Sequence, residues 1–501
     1  MKKSGRLYTL ILTVWCICAL FLLAYLWREC RAAQNPMVCV LLTVSVGVLI
    51  LFWLGSVKDF LFSLCHALKK KEFEAVYRTI QQTSPTVTPR FILLYCTAND
   101  FNPHALVRSM SQNYENVSTF ILDDSSNHAY MAQIDAFAET HRVTVIRRDN
   151  REGFKAGNLN HFLQSYQSYD YFVVLDSDEV LPPDYLQKVN QYFAALPKVG
   201  AVQARHVATK GENLFQTLLG MSVKSNGRTA QVVKNFYGAN SLLGHGMTIS
   251  RECYLATGGF PHVVAEDISF AVLIKNAGYE IVYAPNIECG EAFPPNYVSL
   301  KKRQCKWTQG NLEYMQRYHR QIMDSDMLWF EKLDMILSHY MLPITPVLSF
   351  LLVVVNILLG LFDYAVVRHS VFIYAMMTLF LLSPLIPDLF VYGKTPKSKW
   401  LLPYFLLNIV TYASMAPMML RTVWRGLWGK RAVFLITPKG NPRFSLYSIL
   451  CHTIDSLLFA ATIGIFSFWS CQTVFPAILL IGGCALAPLA LALSNIPTLQ
   501  A

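Results

Sequence analysis

Apolar residues gather at the two ends of the chain and thin out between them. Uninterrupted apolar runs occupy 7–27, 37–56, 339–362, 370–393, 401–420, 445–469 and 472–493. About 20 apolar residues is the length a helix needs to cross a bilayer. The first run follows Lys2, Lys3 and Arg6. It is long for a signal peptide, has no small-residue cleavage site and is soon followed by a second run. It therefore reads as a transmembrane helix entered from the cytoplasmic side. The second run brings the chain back, and Lys58 and Lys69-Lys70-Lys71 predict a segment on the inner membrane surface. The run 401–420 differs. It holds Pro403, Asn408, Thr411, Ser414 and Pro417. Lys394, Lys397 and Lys399 precede it, and Arg421, Arg425, Lys430, Arg431, Lys439 and Arg443 follow it. One crossing cannot leave both basic flanks on the cytoplasmic side, so this run is expected at the interface or re-entrant. The other six runs then cross, with both termini inside.

From about 73 to 334 the pattern changes to short apolar runs alternating with amphipathic stretches. Strands are predicted at 91–96, 117–122, 143–147, 171–175, 199–205, 247–251 and 279–283, and helices at 104–112, 129–141, 183–196 and 268–277. Continuous apolar strands separated by helices imply an α/β domain with a mostly parallel sheet. Several strands run into carboxylates or amides: Thr97-Ala98-Asn99-Asp100, Asp123-Asp124 and Asp176-Ser177-Asp178. The carboxyl ends of such strands are where open α/β sheets bind ligands.

Composition supports the division. Of 501 residues 53% are hydrophobic and 15% charged, well under the quarter usual in soluble domains, and the mean hydropathy is +0.33. The net charge of +11 fits cytoplasmic loops rich in Lys and Arg. No basic patch with interleaved aromatics stands out, so nucleic acid is not an expected partner. The 12 cysteines form no CxxC pair, which leaves buried thiols as the reading rather than a zinc ribbon or disulfide framework.

Asp176 and Asp178 are two apart, so on an extended segment both point the same way. Hard oxygen ligands in that arrangement suit Mg²⁺ or Mn²⁺ with a substrate diphosphate completing the shell. A solvated turn is the plain alternative, since Asp-x-Asp is common by chance.

Further motifs occur in order along the chain: Lys155-Ala156-Gly157-Asn158-Leu159-Asn160, Gly244-His245-Gly246, Ala265-Glu266-Asp267, Arg303 to Trp307, and Phe434-Leu435-Ile436-Thr437-Pro438-Lys439. With the Asp motifs, and across about 88–445, the chain resembles the membrane-embedded, cellulose-synthase-like members of glycosyltransferase family 2. The resemblance implies a GT-A-like, mostly parallel sheet domain inserted between N- and C-terminal transmembrane helices. It implies Asp178, with Asp176, as the cation ligands, the cation acting as Lewis acid and template. Asp267 becomes the base for the acceptor hydroxyl, where helix capping is the plainer role. Glu266 and Trp307 fall to the acceptor. Asp123, Asp124, Lys155, Arg303, Lys306, Thr437 and Lys439 fall to the donor, the last two on a loop that closes over it. Two positions depart from the family pattern. Ala265 stands where Thr is usual, and Arg303-Gln304-Cys305-Lys306-Trp307 replaces Gln-x-x-Arg-Trp. Lys for Arg at a phosphate fork is not conservative, so processivity and acceptor identity stay open.

The organisation expected is 1–72 for two transmembrane helices and an interfacial segment, 73–300 for a cytoplasmic transferase domain, 301–338 for interfacial helices carrying the acceptor motif, and 339–501 for transmembrane helices with a gating loop at about 421–445. The activity expected is inverting transfer from a UDP-sugar, UDP-glucose first, to a β-linked polysaccharide exported through the helices, in a bacterial inner membrane, with accessory export subunits as possible partners. A single transfer to a lipid acceptor is the alternative. A silent scaffold or transporter is disfavoured by the intact carboxylates and by apolar runs almost free of charge.

Overall fold

The computed structural model describes residues 3–364, 379, 382–430, 432 and 437–498. Two long helices open the chain. Arg6–Ala33 ends at Gln34 in the left-handed region, and Asn35 caps Pro36–Gln81 by accepting from the Met37 amide at 2.9 Å. The sequence reading separates a span at 37–56 from a surface segment after Lys58. The structure joins them into one helix of 46 residues. No Gly or Pro interrupts 57–81, and Lys69–Glu72 and Lys70–Glu74 pair along its surface, so nothing stops the helix at the membrane boundary.

The middle domain is built on seven strands: β1 (Phe91–Thr97), β2 (Val117–Asp123), β3 (Thr144–Ile146), β4 (Tyr171–Leu175), β5 (Val199–Ala208), β6 (Met247–Ser250) and β7 (Glu280–Glu291). They lie in the order β3-β2-β1-β4-β6-β5-β7. Only β6 runs antiparallel to its neighbours; the other pairings are parallel, as the mostly parallel α/β expectation required. Alternate residues serve opposite faces. Phe91, Leu93, Tyr95, Val173 and Leu175 pack with Tyr8, Phe62, Phe73 and Tyr77 from the two opening helices. Ile92, Leu94, Phe172 and Val174 pack with Leu159, Phe162, Ile268 and Tyr314. The membrane helices are thus part of the sheet's own core. A buried polar contact ties them in: Tyr8 donates to Asp334 at 2.6 Å, with Lys234 and Lys58 at 3.5 and 3.6 Å.

The strand predicted at 279–283 is much longer, running to Glu291. Pro285 reads as a strand end because it cannot donate to the ladder. The structure accommodates it in a bulge: Ala204 pairs with Ala284, the next residue Arg205 with Glu288, and 285–287 loop out. That bulge lets β7 carry Glu288 and Glu291 to the carboxyl edge of the sheet.

Four described helices are long and apolar enough to cross a membrane: Arg6–Ala33, Pro36–Gln81, Met341–Gly360 and Leu446–Cys471. Two bent pairs raise the number to six if each is one span. One, Pro396–Ser414 with Ala416–Leu427, bends by 40° within the run read as interfacial or re-entrant, where Pro417 enters the first turn of the second helix. The other, Ile478–Ala485 with Ala487–Asn495, bends by 41° where a straight span was expected, with Pro488 at the break. Much of the run expected at 370–393 lies outside the described residues.

Candidate active site

The carboxyl ends of β1, β2 and β4 open into a cavity of about 1880 Å³ that continues between the membrane helices. Asp176 and Asp178 both line it, as the two-residue spacing predicts. Asp176 pairs with Lys155, whose ammonium also donates to the Gly244 carbonyl at 2.7 Å. Burial works to raise the Asp176 carboxyl, but Lys155 and His245 hold it well below the usual range. Burial likewise opposes the Lys155 charge, and Asp176 overrides it, so the ammonium is held firmly protonated. Asp178 accepts from the Ala292 amide at 3.0 Å and from Lys439 at 2.8 Å. Two hard carboxylates on one cavity wall fit a divalent cation, and a cation bound there competes with Lys439 for Asp178.

Lys155 sits in the first turn of the helix Phe154–Ser165, entered through Gly153 at φ 72°. Gly157 on that turn cannot be replaced without collision: a Cβ would lie 1.9 Å from the Glu152 carbonyl and 2.6 Å from Arg148. Arg148 donates to the Glu152 and Phe154 carbonyls and forks onto Asp124 at 2.9 and 2.7 Å. It is a residue sequence reasoning missed; the only signal was its place at the end of a predicted strand. Asp124 lines the cavity. Asp123 does not: its side chain turns into the fold and accepts from the Ser125 amide at 2.8 Å and Arg147 at 2.7 Å. Asn158 lines the cavity with its carbonyl oxygen unpartnered, whereas Asn160 is a staple, bonding Phe260 through both its amide and its carbonyl oxygen.

Glu266 and Asp267 form the first turn of the helix Glu266–Asn276 and face the cavity together with Gly244, whose Cβ position would lie 3.3 Å from an Asp267 oxygen. Burial, then the neighbouring Asp267 charge, raises the Glu266 carboxyl to about 7. Burial raises Asp267 as well. Ala265 touches the helix Tyr297–Met323: a Cβ on Gly310 would come 2.8 Å from the Ala265 Cβ. The small residue at 265 therefore belongs to a close helix crossing, with little room for the threonine expected there.

Arg303, Lys306 and Trp307 line the cavity from that helix. The Arg303 guanidinium lies between the Phe293 and Trp307 rings, 4.7 and 4.5 Å from their centroids, and Trp307 is 43% exposed. Thr437 and Lys439 reach the cavity from the loop after 430; Phe434, Leu435 and Ile436 lie outside the described residues. His206, His245 and Glu291 also line the cavity. Of these only His245 belonged to a motif noticed in the sequence. His245 Nε2 is 3.1 Å from Glu291. Against burial, the two histidines and Arg303 pull Glu291 down to about 2.

Residues 171–390 match the family described as Glycosyl transferase family group 2, and this match with the relatives below supports a glycosyltransferase. The chain is 23% identical over 261 residues to the glucans biosynthesis glucosyltransferase H of Bradyrhizobium diazoefficiens, covering 46% of this chain and 35% of that one. It is 28% identical over 223 residues to the protein of the same name from Shewanella oneidensis, covering 39% and 30%. The chain thus spans about a third of the length of the curated relatives it matches. A mannosyltransferase from Pyrobaculum calidifontis, solved with GDP-Man and Mn²⁺, superposes with a TM-score of 0.47 at 19% identity, covering 74% of this chain and 99% of that one.

Proposed function

We propose that the protein is an inverting glycosyltransferase that moves a sugar from a UDP-sugar, UDP-glucose first among them, onto a growing β-linked polysaccharide, and passes the product between its own helices. One observation carries the reading. A single cavity is lined by Asp176, Asp178 and Lys155, by Glu266 and Asp267, by Trp307, and by Met341, Leu352, Asn408 and Tyr412 of the membrane helices. The basic flanks of the membrane segments support a sheet domain on the cytoplasmic side, in this reading that of a bacterial inner membrane.

In this reading Asp267 accepts the proton of the acceptor hydroxyl as that oxygen attacks the anomeric carbon. Its carboxyl, raised by burial, is a better base than an exposed aspartate. Glu266 holds the acceptor sugar. Asp124 orients the nucleoside from its clamp on Arg148; Asp123 supports that loop from inside. Lys155, Arg303, Lys306, Thr437 and Lys439 surround the diphosphate with positive charge and hydrogen-bond donors. A divalent cation on Asp176 and Asp178, Mg²⁺ or Mn²⁺, supplies charge neutralisation of the leaving diphosphate. Trp307 offers a flat face for the acceptor ring.

Transfer to a lipid acceptor is the second reading, favoured by the aliphatic wall that Leu49, Leu352, Val353 and Leu479 give the membrane half of the cavity. Incubating purified protein with a panel of labelled UDP-sugars and sizing the product separates the two. A long polymer from one donor supports the first, a single-sugar glycolipid supports the second, and absence of any product from every donor refutes both. Turnover unchanged in EDTA counts against the cation.

A further inference from the structure

Next to Asp178, in the wall of the same cavity, four strand ends bring together a further set of side chains. Glu179 follows β4 and is 1% exposed. His206 is on β5, His245 leads into β6 and Cys289 is on β7. One ligating atom each from Glu179, His206 and His245 lies within 4.8 Å of the others. His245 Nδ1 stands 3.0 Å from a Glu179 oxygen, yet the pair is misaligned for a hydrogen bond. Both Glu179 oxygens and Nδ1 are left without a hydrogen-bond partner. The His245 ring sets a charge beside this carboxylate, but without an aligned donor its lone pairs lack the hydrogen bonds they would have in water.

Gly246 shows where these atoms converge. It adopts φ 57°, and a Cβ there would lie 2.5 Å from Glu179 Oε1, 3.3 Å from His206 Nε2 and 3.5 Å from the Cys289 sulfur. Glycine keeps that space open to an oxygen, a nitrogen and a sulfur at once. The outer nitrogens are accounted for by one residue. Glu291 lies 3.1 Å from His245 Nε2 and 3.6 Å from His206 Nδ1. A carboxylate bound to the far side of a ligating imidazole fixes its tautomer and orientation, and here one carboxylate serves both rings, which stack 4.1 Å apart.

We propose that Glu179, His206 and His245 form a site for a tetrahedral transition-metal ion, Zn²⁺ by donor chemistry, with solvent in the fourth position, separate from the cation seat at Asp176 and Asp178. Two imidazole nitrogens beside one carboxylate select zinc over magnesium. Bonds of about 2.0–2.3 Å place tetrahedral ligands roughly 3.3–3.7 Å apart, inside the span the side chains now occupy. Binding releases the His245 Nδ1 proton to solvent and breaks the 2.9 Å hydrogen bond from His206 Nε2 to the His245 carbonyl, the Nε2 proton being replaced by one on Nδ1, beside Glu291. The ion would pin β4, β5 and β6 together one residue after Asp178.

The test is metal content of the full chain in detergent, by mass spectrometry after exposure to Zn²⁺ and removal of free metal. About one Zn²⁺ per chain is expected in the wild type and in Asp178→Asn, and loss of it in His206→Ala and Glu179→Gln. Folding of the variants is followed by gel filtration. Should His206→Ala not fold, the Co²⁺-loaded wild type decides: a tetrahedral visible spectrum supports the site, and an octahedral spectrum overturns it. No stoichiometric metal in the wild type, or zinc lost with Asp178→Asn and kept with His206→Ala, also overturns it.

Discussion

Replacing Asp267 with Asn keeps the side chain's size and removes the charge. The residue stands at the cavity end of the helix Glu266–Asn276, where burial raises its carboxyl. General-base catalysis is worth about 10²–10⁴ in rate, roughly 2.7–5.5 kcal/mol at 1.36 kcal/mol per tenfold. The loss should appear in turnover, because the proposed donor contacts fall to other residues, Lys155 on its helix and Asp176 and Asp178 after β4. Glu266 provides an internal check. Its carboxyl sits at about 7 from burial first and the Asp267 charge second. With that charge gone, Glu266 moves down, and the acid limb of the residual rate profile moves down with it. The assay is UDP release against pH, beside donor affinity by calorimetry. A variant with near-wild-type turnover would refute the assignment, and so would one whose loss is fully matched by weaker donor binding.

Glu266→Gln should reverse a stability cost. The folded-state carboxyl is raised from 4.5 to about 7, so its contribution is fully present below about pH 4.5 and is lost as pH rises to about 7. The shift is worth about 3 kcal/mol. Thermal melts of wild type should therefore fall relative to Glu266→Gln between pH 5 and pH 7.5 (roughly the window of that shift), and parallel curves would remove the argument. Gly157→Ala should cost about 1–3 kcal/mol or more and weaken donor binding by unseating Arg148, whereas Gly440→Ala, with open space at its Cβ, should leave melting and affinity unchanged. Trp307→Ala should raise the acceptor KM by about 2- to 10-fold through lost aromatic contact with donor affinity intact; equal losses on both sides would make Trp307 merely a support for Arg303.

Much of this site was legible because its chemistry sits in short segments whose strands announce themselves. Tyr171 to Leu175 is a continuous apolar run, and such runs place their last residues at the sheet's carboxyl edge whatever the order of the strands. Asp176 and Asp178 followed from that; Lys155 came from its glycine-flanked loop and the family resemblance the loop carries. Asp123 and Asp124 show the limit. Adjacent residues on a strand face opposite ways, and which faces the cavity depends on register with β1, where Asp123 pairs with Thr97. Glu291 was hidden by Pro285, which locally ends a strand and globally needs only a bulge. The grouping of Glu179, His206, His245 and Cys289 draws on positions up to 110 residues apart, and no spacing rule joins them. The length of the second helix depended on the absence of any breaker after Ser56, which outweighed the change from apolar to charged composition.

The central claim is that transfer and the membrane path share one cavity. It is tested by reconstituting the protein in sealed vesicles and adding labelled donor outside, where it can reach only molecules whose sheet domain faces out. If the cavity conducts the product, polymer accumulates in the vesicle lumen and resists added glycosidase until detergent is supplied. Polymer fully digested without detergent would contradict the account.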